Sequence, residues 1–274
     1  QYPWLTDNDF FQPSLIKLDY TMDRDCFFDG NLTLGSRETD SADFLLPLSK
    51  TFFKYFTVND LMGTIGGRPR FELIHTQTGQ QETVRAILRI PVQKQGHFVT
   101  LERTYVQAVG VDMRYDWDND RGYFLTVPFA LSVFPFIRSP FLRQYNVQLV
   151  DRALGLLENY HLNLDFLQVE ANGAVGRPLP VLRRSRSLKN EKRVGSDYYR
   201  LQDGFDYINV QLTDERDNLV SEGVICPRWV TNVQGHEAFT FAVDFGTTNT
   251  HVEGMRQGQM PEPLAVGSAS KERL

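Results

Sequence analysis

The sequence predicts a mainly β fold, an antiparallel β-sandwich-like module with a short helical element near residues 49–62. Strand-like segments of about five to ten residues recur along the chain, and clusters of Gly, Asn and Asp separate them. Several of these segments alternate apolar and polar residues, which is typical of strands with one buried face. Hydrophobic residues make up 41% of the 274 residues, enough for a sizeable core. Together these features indicate sheets packed on sheets.

The first elements are short. Three apolar pieces between Asp and Gly turns predict an early meander: residues 15–20, 26–28 and 31–34. In the helical element, Ser49 is placed to cap residues 50–56, where aromatic residues recur at helical spacing. Gly63 closes a second, shorter helical turn. We expect the aromatic residues to be core contacts, namely Phe52, Phe53 and Phe56.

The clearest alternation lies in the middle of the chain. Three segments there predict antiparallel strands joined by short turns: residues 70–75, 82–91 and 98–106. Residues 111–115 and 123–127 predict a further hairpin, after which Pro128 and Pro135 disfavour a long central strand. The last strands are predicted at residues 146–150, 162–169, 207–212, 219–225 and 239–243.

A basic segment interrupts the β pattern between Gly173 and Gly195. It contains two prolines and, at residues 183–193, the densest run of positive charge in the chain. We interpret the run as a solvated loop. The alternative is a patch for phosphate, for an acidic partner or, given Tyr198 and Tyr199 nearby, for nucleic acid. A net charge of −5 gives the chain no broad basic footprint, which disfavours nucleic acid as a partner.

The cysteine content and the hydropathy of the sequence indicate in which cellular compartment the protein is expected. Cys26 and Cys226 are too few for a disulfide scaffold and lack metal-site spacing, so we expect two small core residues in a reducing compartment. A bridge or a reactive thiol is the alternative. No apolar run is long enough to span a bilayer, and residues 1–10 lack a signal-peptide pattern. A cytoplasmic location without a membrane partner is therefore expected.

Other candidate sites have weaker patterns. Residues 116–122 carry three acidic side chains at alternate positions, as calcium loops do, but Arg121 and Val127 stand where such loops have Gly and a carboxylate. We interpret this segment as a charged hairpin tip, with a loose calcium site as the alternative. The five His residues show no metal-ligand spacing. Paired carboxylates for glycoside hydrolysis stay open, because 34 acidic residues are scattered along the chain.

One motif carries most of the functional information. Residues 241–250 read Phe-Ala-Val-Asp-Phe-Gly-Thr-Thr-Asn-Thr. The first three form a short apolar strand, Gly246 permits a tight bend, and the amides and hydroxyls of Thr247 and Thr248 can then point together. With the carboxylate of Asp244 beside it, such a turn suits phosphate and magnesium. An ordinary β-hairpin is the alternative interpretation, since Gly, Asn and Thr are common turn and strand residues.

The motif resembles the first phosphate-binding hairpin of the actin, heat-shock-chaperone and sugar-kinase ATPase superfamily, and it is most similar to the chaperone branch. The resemblance covers residues 241–253 only. It implies that Asp244 holds magnesium through water, and that residues 250–253 form the returning strand. It also implies that four residues bind the β- and γ-phosphates of ATP, namely Gly246, Thr247, Thr248 and Asn249.

The resemblance divides the chain into two parts, with a boundary between Asn232 and His236. Residues 1–235 would be a β-rich module of unknown ligand, and residues 236–274 the opening β-hairpin of an actin-like α/β ATPase domain with a flexible tail. The superfamily's second phosphate loop and adenosine-binding segment have no counterpart here. We therefore expect an amino-terminal fragment of a longer ATPase that is not catalytic alone.

Two functions follow from this division. In the first, ATP and magnesium are cofactors of the full-length protein, and the β module binds a protein partner or substrate. In the second, the chain is a non-catalytic β-sandwich binding or assembly protein with no nucleotide function, and the hairpin only imitates the motif.

Overall fold

The structure of the protein is a computed structural model that describes residues 5–19, 22, 27, 33–34, 44–79, 81–92, 96–108, 120–156, 159–169, 177–187, 194–231, 238–245 and 250–263. The described helices are single turns: α1 (Asp7–Phe10), α2 (Phe52–Tyr55), α3 (Val58–Leu61) and a 3-10 turn at Arg152–Leu154. The described strands are β1 (Ser14–Lys17), β2 (Thr33–Leu34), β3 (Thr64–Ile65), β4 (Arg68–Pro69), β5 (Phe71–Thr78), β6 (Gln81–Pro91), β7 (Phe98–Gln107), β8 (Arg121–Thr126), β9 (Ala130–Phe134), β10 (Ile137–Arg138), β11 (Tyr145–Val150), β12 (Tyr160–Gln168), β13 (Arg177–Pro178), β14 (Leu182–Ser187), β15 (Val194–Leu201), β16 (Tyr207–Asp214), β17 (Leu219–Ile225), β18 (Val230–Thr231), β19 (Phe239–Phe245), β20 (Thr250–Arg256) and β21 (Glu262–Pro263). The prediction of a mainly β chain with a short helical element near residues 49–62 is confirmed.

The largest sheet has six strands in the order β1-β8-β7-β6-β5-β2. Its centre is the predicted antiparallel set β5-β6-β7, in which Phe71 lies opposite Leu88, and Leu88 opposite Leu101. The flanking strands differ from the prediction. β1 lies parallel to β8, β8 parallel to β7, and β2 parallel to β5. The early meander is therefore wrong, because β1 and β2 pair with strands distant in sequence. Residues 111–115 lie outside the described residues, so their hairpin with residues 123–127 stays a prediction.

Two four-stranded antiparallel sheets contribute to one hydrophobic cluster, and we call this pair of sheets the sandwich. One has the order β14-β15-β11-β9, and the other has the order β13-β12-β16-β17. In β11, Tyr145, Val147 and Leu149 are buried and alternate with partly exposed residues, as Leu162 and Leu164 do in β12. Most of the buried apolar residues of both sheets belong to one hydrophobic cluster. The period-two pattern thus sets which face of each strand enters the core.

The basic segment is partly a strand, which corrects the loop prediction. Residues Leu182–Ser187 form β14, an edge of the sandwich sheet, and pair antiparallel with β15. Long arginine side chains are compatible with an edge strand, because they reach solvent and discourage pairing with other chains. β15 has no counterpart among the predicted strands. Residues 188–193 lie outside the described residues.

A second hydrophobic cluster joins the six-stranded sheet to the sandwich. Residues 44–48 run between β1 and β17. The Leu45 amide donates to the Ile16 carbonyl, and Leu46 forms a β-bridge with Val224. This buried segment therefore connects the two sheets through backbone hydrogen bonds as well as packing.

The helical element is capped differently from the prediction. Thr51, not Ser49, is the residue that precedes α2, while the Ser49 hydroxyl accepts from the Thr51 amide and donates to the Asp9 carbonyl. α3 begins with a capping box formed by Thr57 and Asp60. The predicted burial of Phe52 and Phe53 is confirmed, and Phe56 packs against the same cluster.

A separate antiparallel sheet of β19, β20 and β21 follows the sandwich. Within the part of the chain that the structure describes, its strands pair only with one another. The boundary predicted between Asn232 and His236 lies outside that part. None of the described helices has the length and apolar character required to cross a membrane.

Candidate functional site

β19 and β20 build the hairpin that carries the motif. Their pairing runs in one register from Phe239 opposite Arg256 to Phe245 opposite Thr250. The returning strand predicted at residues 250–253 is present as the first part of β20. Asp244 lies within β19, so the strand is longer than the predicted apolar segment. The connection between the strands lies outside the described residues and consists of Gly246, Thr247, Thr248 and Asn249.

One face of the hairpin is polar near this connection. Directly opposite residues share a face of a sheet, so Asp244 and His251 are neighbours, with Glu253 two positions further along β20. His251 Nε2 lies 3.1 Å from Glu253 Oε1. All three side chains reach solvent. An imidazole and two carboxylates therefore line the hairpin next to the four-residue connection.

No group of three or more His, Cys, Asp or Glu side chains suited to a metal exists among the described residues. Magnesium is usually bound through one or two carboxylates, several waters and substrate phosphates. The exposed carboxylate of Asp244 fits that mode, in which waters and a phosphate supply the remaining ligands.

The opposite face of the hairpin is apolar. Phe239 and Phe241 are 53% and 56% exposed, and their rings stack with centroids 6.0 Å apart. The Arg256 guanidinium lies 5.8 Å from the Phe239 ring centroid. With Met260 and Pro263 these residues line an open cavity of about 440 Å³. The cavity lies toward the end of the hairpin away from residues 246–249, so it is separate from the predicted phosphate site.

A polar cluster beside the sandwich core has no counterpart among the predicted sites. Asp197 is buried in it, whereas the Arg183 side chain is 44% exposed. Arg183 donates from Nε and Nη2 to Asp197 Oδ2 over 3.1 and 2.5 Å, and from Nη1 to Asn163 Oδ1 over 2.9 Å. Its guanidinium also lies 5.5 Å from the Tyr199 ring centroid. These contacts connect β14 and β15 to β12. The alternation of Asp197, Tyr199 and Leu201 along β15, all buried, is the sequence signal that could have located the cluster.

Burial controls protonation in this cluster. It raises the pKa of Tyr199 to about 12, although Arg183 acts in the opposite direction. Burial also raises the pKa of Asp151, opposed by the hydrogen bond from the Arg152 amide and reinforced by the negative charge of Asp197. The Arg183–Asp197 pair links β14 to β15, and the second carboxylate oxygen, Asp197 Oδ1, is buried without a hydrogen-bond partner among the described residues.

Two further predicted sites are only partly described. In the calcium-like segment, Asp120 directly precedes β8 and residues 121–122 begin that strand, while residues 116–119 lie outside the described residues. Cys226 is fully buried, and burial raises the pKa of its thiol, as expected for an unreactive core residue. Cys26 lies outside the described residues.

The comparisons with known proteins identify no relative of the chain. No family model, curated protein or solved structure matches it. The candidate site therefore depends on the residues of the motif and on the geometry of the hairpin that carries it.

Proposed function

We propose that residues 239–256 form the first phosphate- and magnesium-binding hairpin of an actin- or heat-shock-chaperone-like ATPase. In this proposal Asp244 holds a hydrated magnesium ion, and the phosphates of ATP bind at Gly246, Thr247, Thr248 and Asn249. One hairpin neither encloses a nucleotide nor positions an attacking water, so hydrolysis requires further nucleotide-binding segments. The hairpin alone is thus a binding element and not an active site.

The register of the hairpin carries this proposal. Phe245 and Thr250 are the last paired residues, so the Gly-Thr-Thr-Asn sequence is the whole connection between two antiparallel strands. One residue, Phe245, separates Asp244 from that connection. The Asp244 side chain is exposed, which gives a hydrated ion access to its carboxylate. The exposed apolar face behind it is consistent with a sheet whose one face is covered by further structure.

The β module completes the proposal. We infer that residues 1–235 bind a protein partner or substrate, and that nucleotide binding at the hairpin acts in the same molecule. A reducing, cytoplasmic setting is part of this proposal, because the chain has two cysteines and Cys226 is a free, buried thiol.

Calorimetric titration of the longest natural form of the protein with magnesium-ATP tests the hairpin. We expect binding that is lost in Asp244→Ala and retained in Asp203→Ala, which removes an exposed carboxylate on the β module. Thermal melts of both variants establish that each is folded. Equal affinity in Asp244→Ala and the wild type would contradict the assignment of the magnesium ligand.

A non-catalytic binding or assembly protein is the second candidate function. The observation that favours it is the exposed apolar row Phe239, Phe241 and Val243, because large exposed apolar patches mark interaction surfaces. Absence of magnesium-ATP binding by the longest natural form would support this function over the first.

A further inference from the structure

The sheet β14-β15-β11-β9 has an outer face that turns away from the sandwich core. Strand register places its side chains in two rows that cross all four strands. The first row consists of Leu182, Arg200, Asn146 and Phe134. The second row consists of Arg184, Tyr198, Gln148 and Ser132. We call these eight residues the outer face.

The outer face is positively charged. None of its residues is acidic, and the exposed guanidinium groups of Arg184 and Arg200 have no ion-pair partner among the described residues. Arg183 differs, since it points to the core side and binds Asp197. The surface is therefore complementary to an anionic partner.

The same face carries aromatic rings at solvent-accessible positions. Tyr198 is 36% exposed and Phe134 is 51% exposed. The amide of Gln148 donates to the Tyr198 hydroxyl over 3.1 Å, which holds that ring on the sheet surface. The side-chain oxygen of Asn146 accepts from Gln144 over 3.2 Å, and Asn146 lies between Arg200 and Phe134 in the first row. Positive charge, rings and amides thus share one surface.

We propose that the outer face binds single-stranded nucleic acid. Phosphates would pair with Arg184 and Arg200, and bases would stack on Tyr198 and Phe134. Unpaired bases stack on aromatic side chains of sheets, and cationic groups beside the rings hold the backbone. An acidic protein segment would pair with the arginines but would not require two exposed rings. The rings therefore favour single-stranded nucleic acid over an acidic protein segment as the partner. The proposal is independent of the nucleotide hairpin, which lies in another sheet.

Fluorescence anisotropy with labelled oligothymidine of about 12 nucleotides tests the proposal, with the full chain at low salt. We expect binding that weakens as salt rises. In the double variant Arg184→Gln/Arg200→Gln, the slope of log affinity against log salt should become shallower by about 1.4, which is about 0.7 for each lost phosphate contact. Arg216→Gln is the matched control, because Arg216 is an exposed arginine at the β16–β17 turn.

The rings are tested separately. We expect Tyr198→Ala to weaken binding by roughly 5- to 100-fold and Tyr198→Phe to retain it, because stacking needs the ring and not the hydroxyl. Tyr55→Ala removes a tyrosine of similar exposure, 39%, elsewhere in the chain and should have no effect. Asp244→Ala should also leave binding unchanged. Thermal melts of all variants report folding.

Three outcomes would overturn the proposal. The first is no oligothymidine binding by the wild type at low salt. The second is binding that Tyr198→Ala leaves unchanged while the arginine variant abolishes it. The third is that polyglutamate, at equal charge concentration, displaces the labelled oligothymidine as effectively as unlabelled oligothymidine does. That result would assign the face to acidic protein segments.

Discussion

The rings of Phe53 and Tyr207 stack face to face, with centroids 3.9 Å apart and planes inclined by 10°. Phe53 lies on α2 and Tyr207 begins β16, so this contact joins the helical element to the sandwich. Both side chains are buried. The Tyr207 hydroxyl is also buried and has no hydrogen-bond partner among the described residues.

This stack gives two opposite expectations for stability. Phe53→Ala should lower the free energy of unfolding by about 3–5 kcal/mol, because it removes a buried ring and leaves a cavity. Tyr207→Phe keeps the stack and removes an unsatisfied hydroxyl, so the free energy of unfolding should stay equal or rise by up to about 1 kcal/mol. Urea denaturation of both variants measures the change. A large loss in Tyr207→Phe would indicate that the hydroxyl has a partner.

Arg103 holds the amino-terminal segment on the six-stranded sheet. Its side chain is 2% exposed and donates to the Phe11 carbonyl over 2.9 Å, to the Gln12 carbonyl over 3.3 Å and to Asp7 Oδ2 over 2.8 Å. Arg103→Met should lower the free energy of unfolding by about 3–5 kcal/mol, because the carboxylate and carbonyls lose their buried partner.

Arg85→Met is the control for this prediction. Arg85 pairs with Glu102 at 3.6 Å on the surface of the same sheet, where both side chains are about half exposed. Its loss should change the free energy of unfolding by less than about 1 kcal/mol. Equal urea midpoints for Arg103→Met and Arg85→Met would refute the structural role of Arg103.

Tyr199 makes the stability of the sandwich sensitive to alkaline pH. Its pKa rises from the ordinary 10.0 to about 12 in the folded chain because the phenol is buried. The folded state therefore holds this proton more tightly than the unfolded state, so the stabilisation is complete below about pH 10 and is lost as the pH rises toward 12. At about pH 11 the loss attributable to Tyr199 is roughly 1.4 kcal/mol.

Comparison of wild type with Tyr199→Phe isolates this effect from other titrating groups. Urea denaturation at about pH 8 and about pH 11 gives the two free energies for each protein. We expect the wild type to lose about 1.4 kcal/mol more than the variant between these values. Equal losses would show that Tyr199 titrates normally in the folded chain.

Removal of residues 237–274 should leave the β module folded. The strands β19, β20 and β21 pair only with one another within the described residues, and the two hydrophobic clusters contain none of their side chains. Differential scanning calorimetry of the shortened chain should therefore retain a cooperative transition, with a midpoint within about 4 °C of the intact chain. Loss of that transition would place the domain boundary elsewhere.

Local patterns in the sequence are sufficient to locate the antiparallel set β5-β6-β7 and the strands β11, β12, β16 and β17. Each pairs with near neighbours or has strict alternation, so its own residues contain the information. The parallel placement of β1 beside β8 is different, because no local pattern encodes pairing across about one hundred residues. The strand β14 was missed for another reason: its exposed edge carries arginines, which also characterise a solvated loop.

The same distinction between local and long-range information applies to the candidate sites. The sequence by itself determined the Asp-Phe-Gly-Thr-Thr-Asn motif and predicted a hairpin, since turn residues between apolar strands act locally. Only the tertiary structure brought Arg184, Tyr198 and Gln148 into one row, and Arg183, Asp197 and Asn163 into one polar cluster. These groups come from different strands, and sheet register alone decides which side chains become neighbours. Local turn preferences determine the hairpin of the motif. The burial of apolar faces between segments distant in sequence determines the strand register, and with it which side chains share a surface.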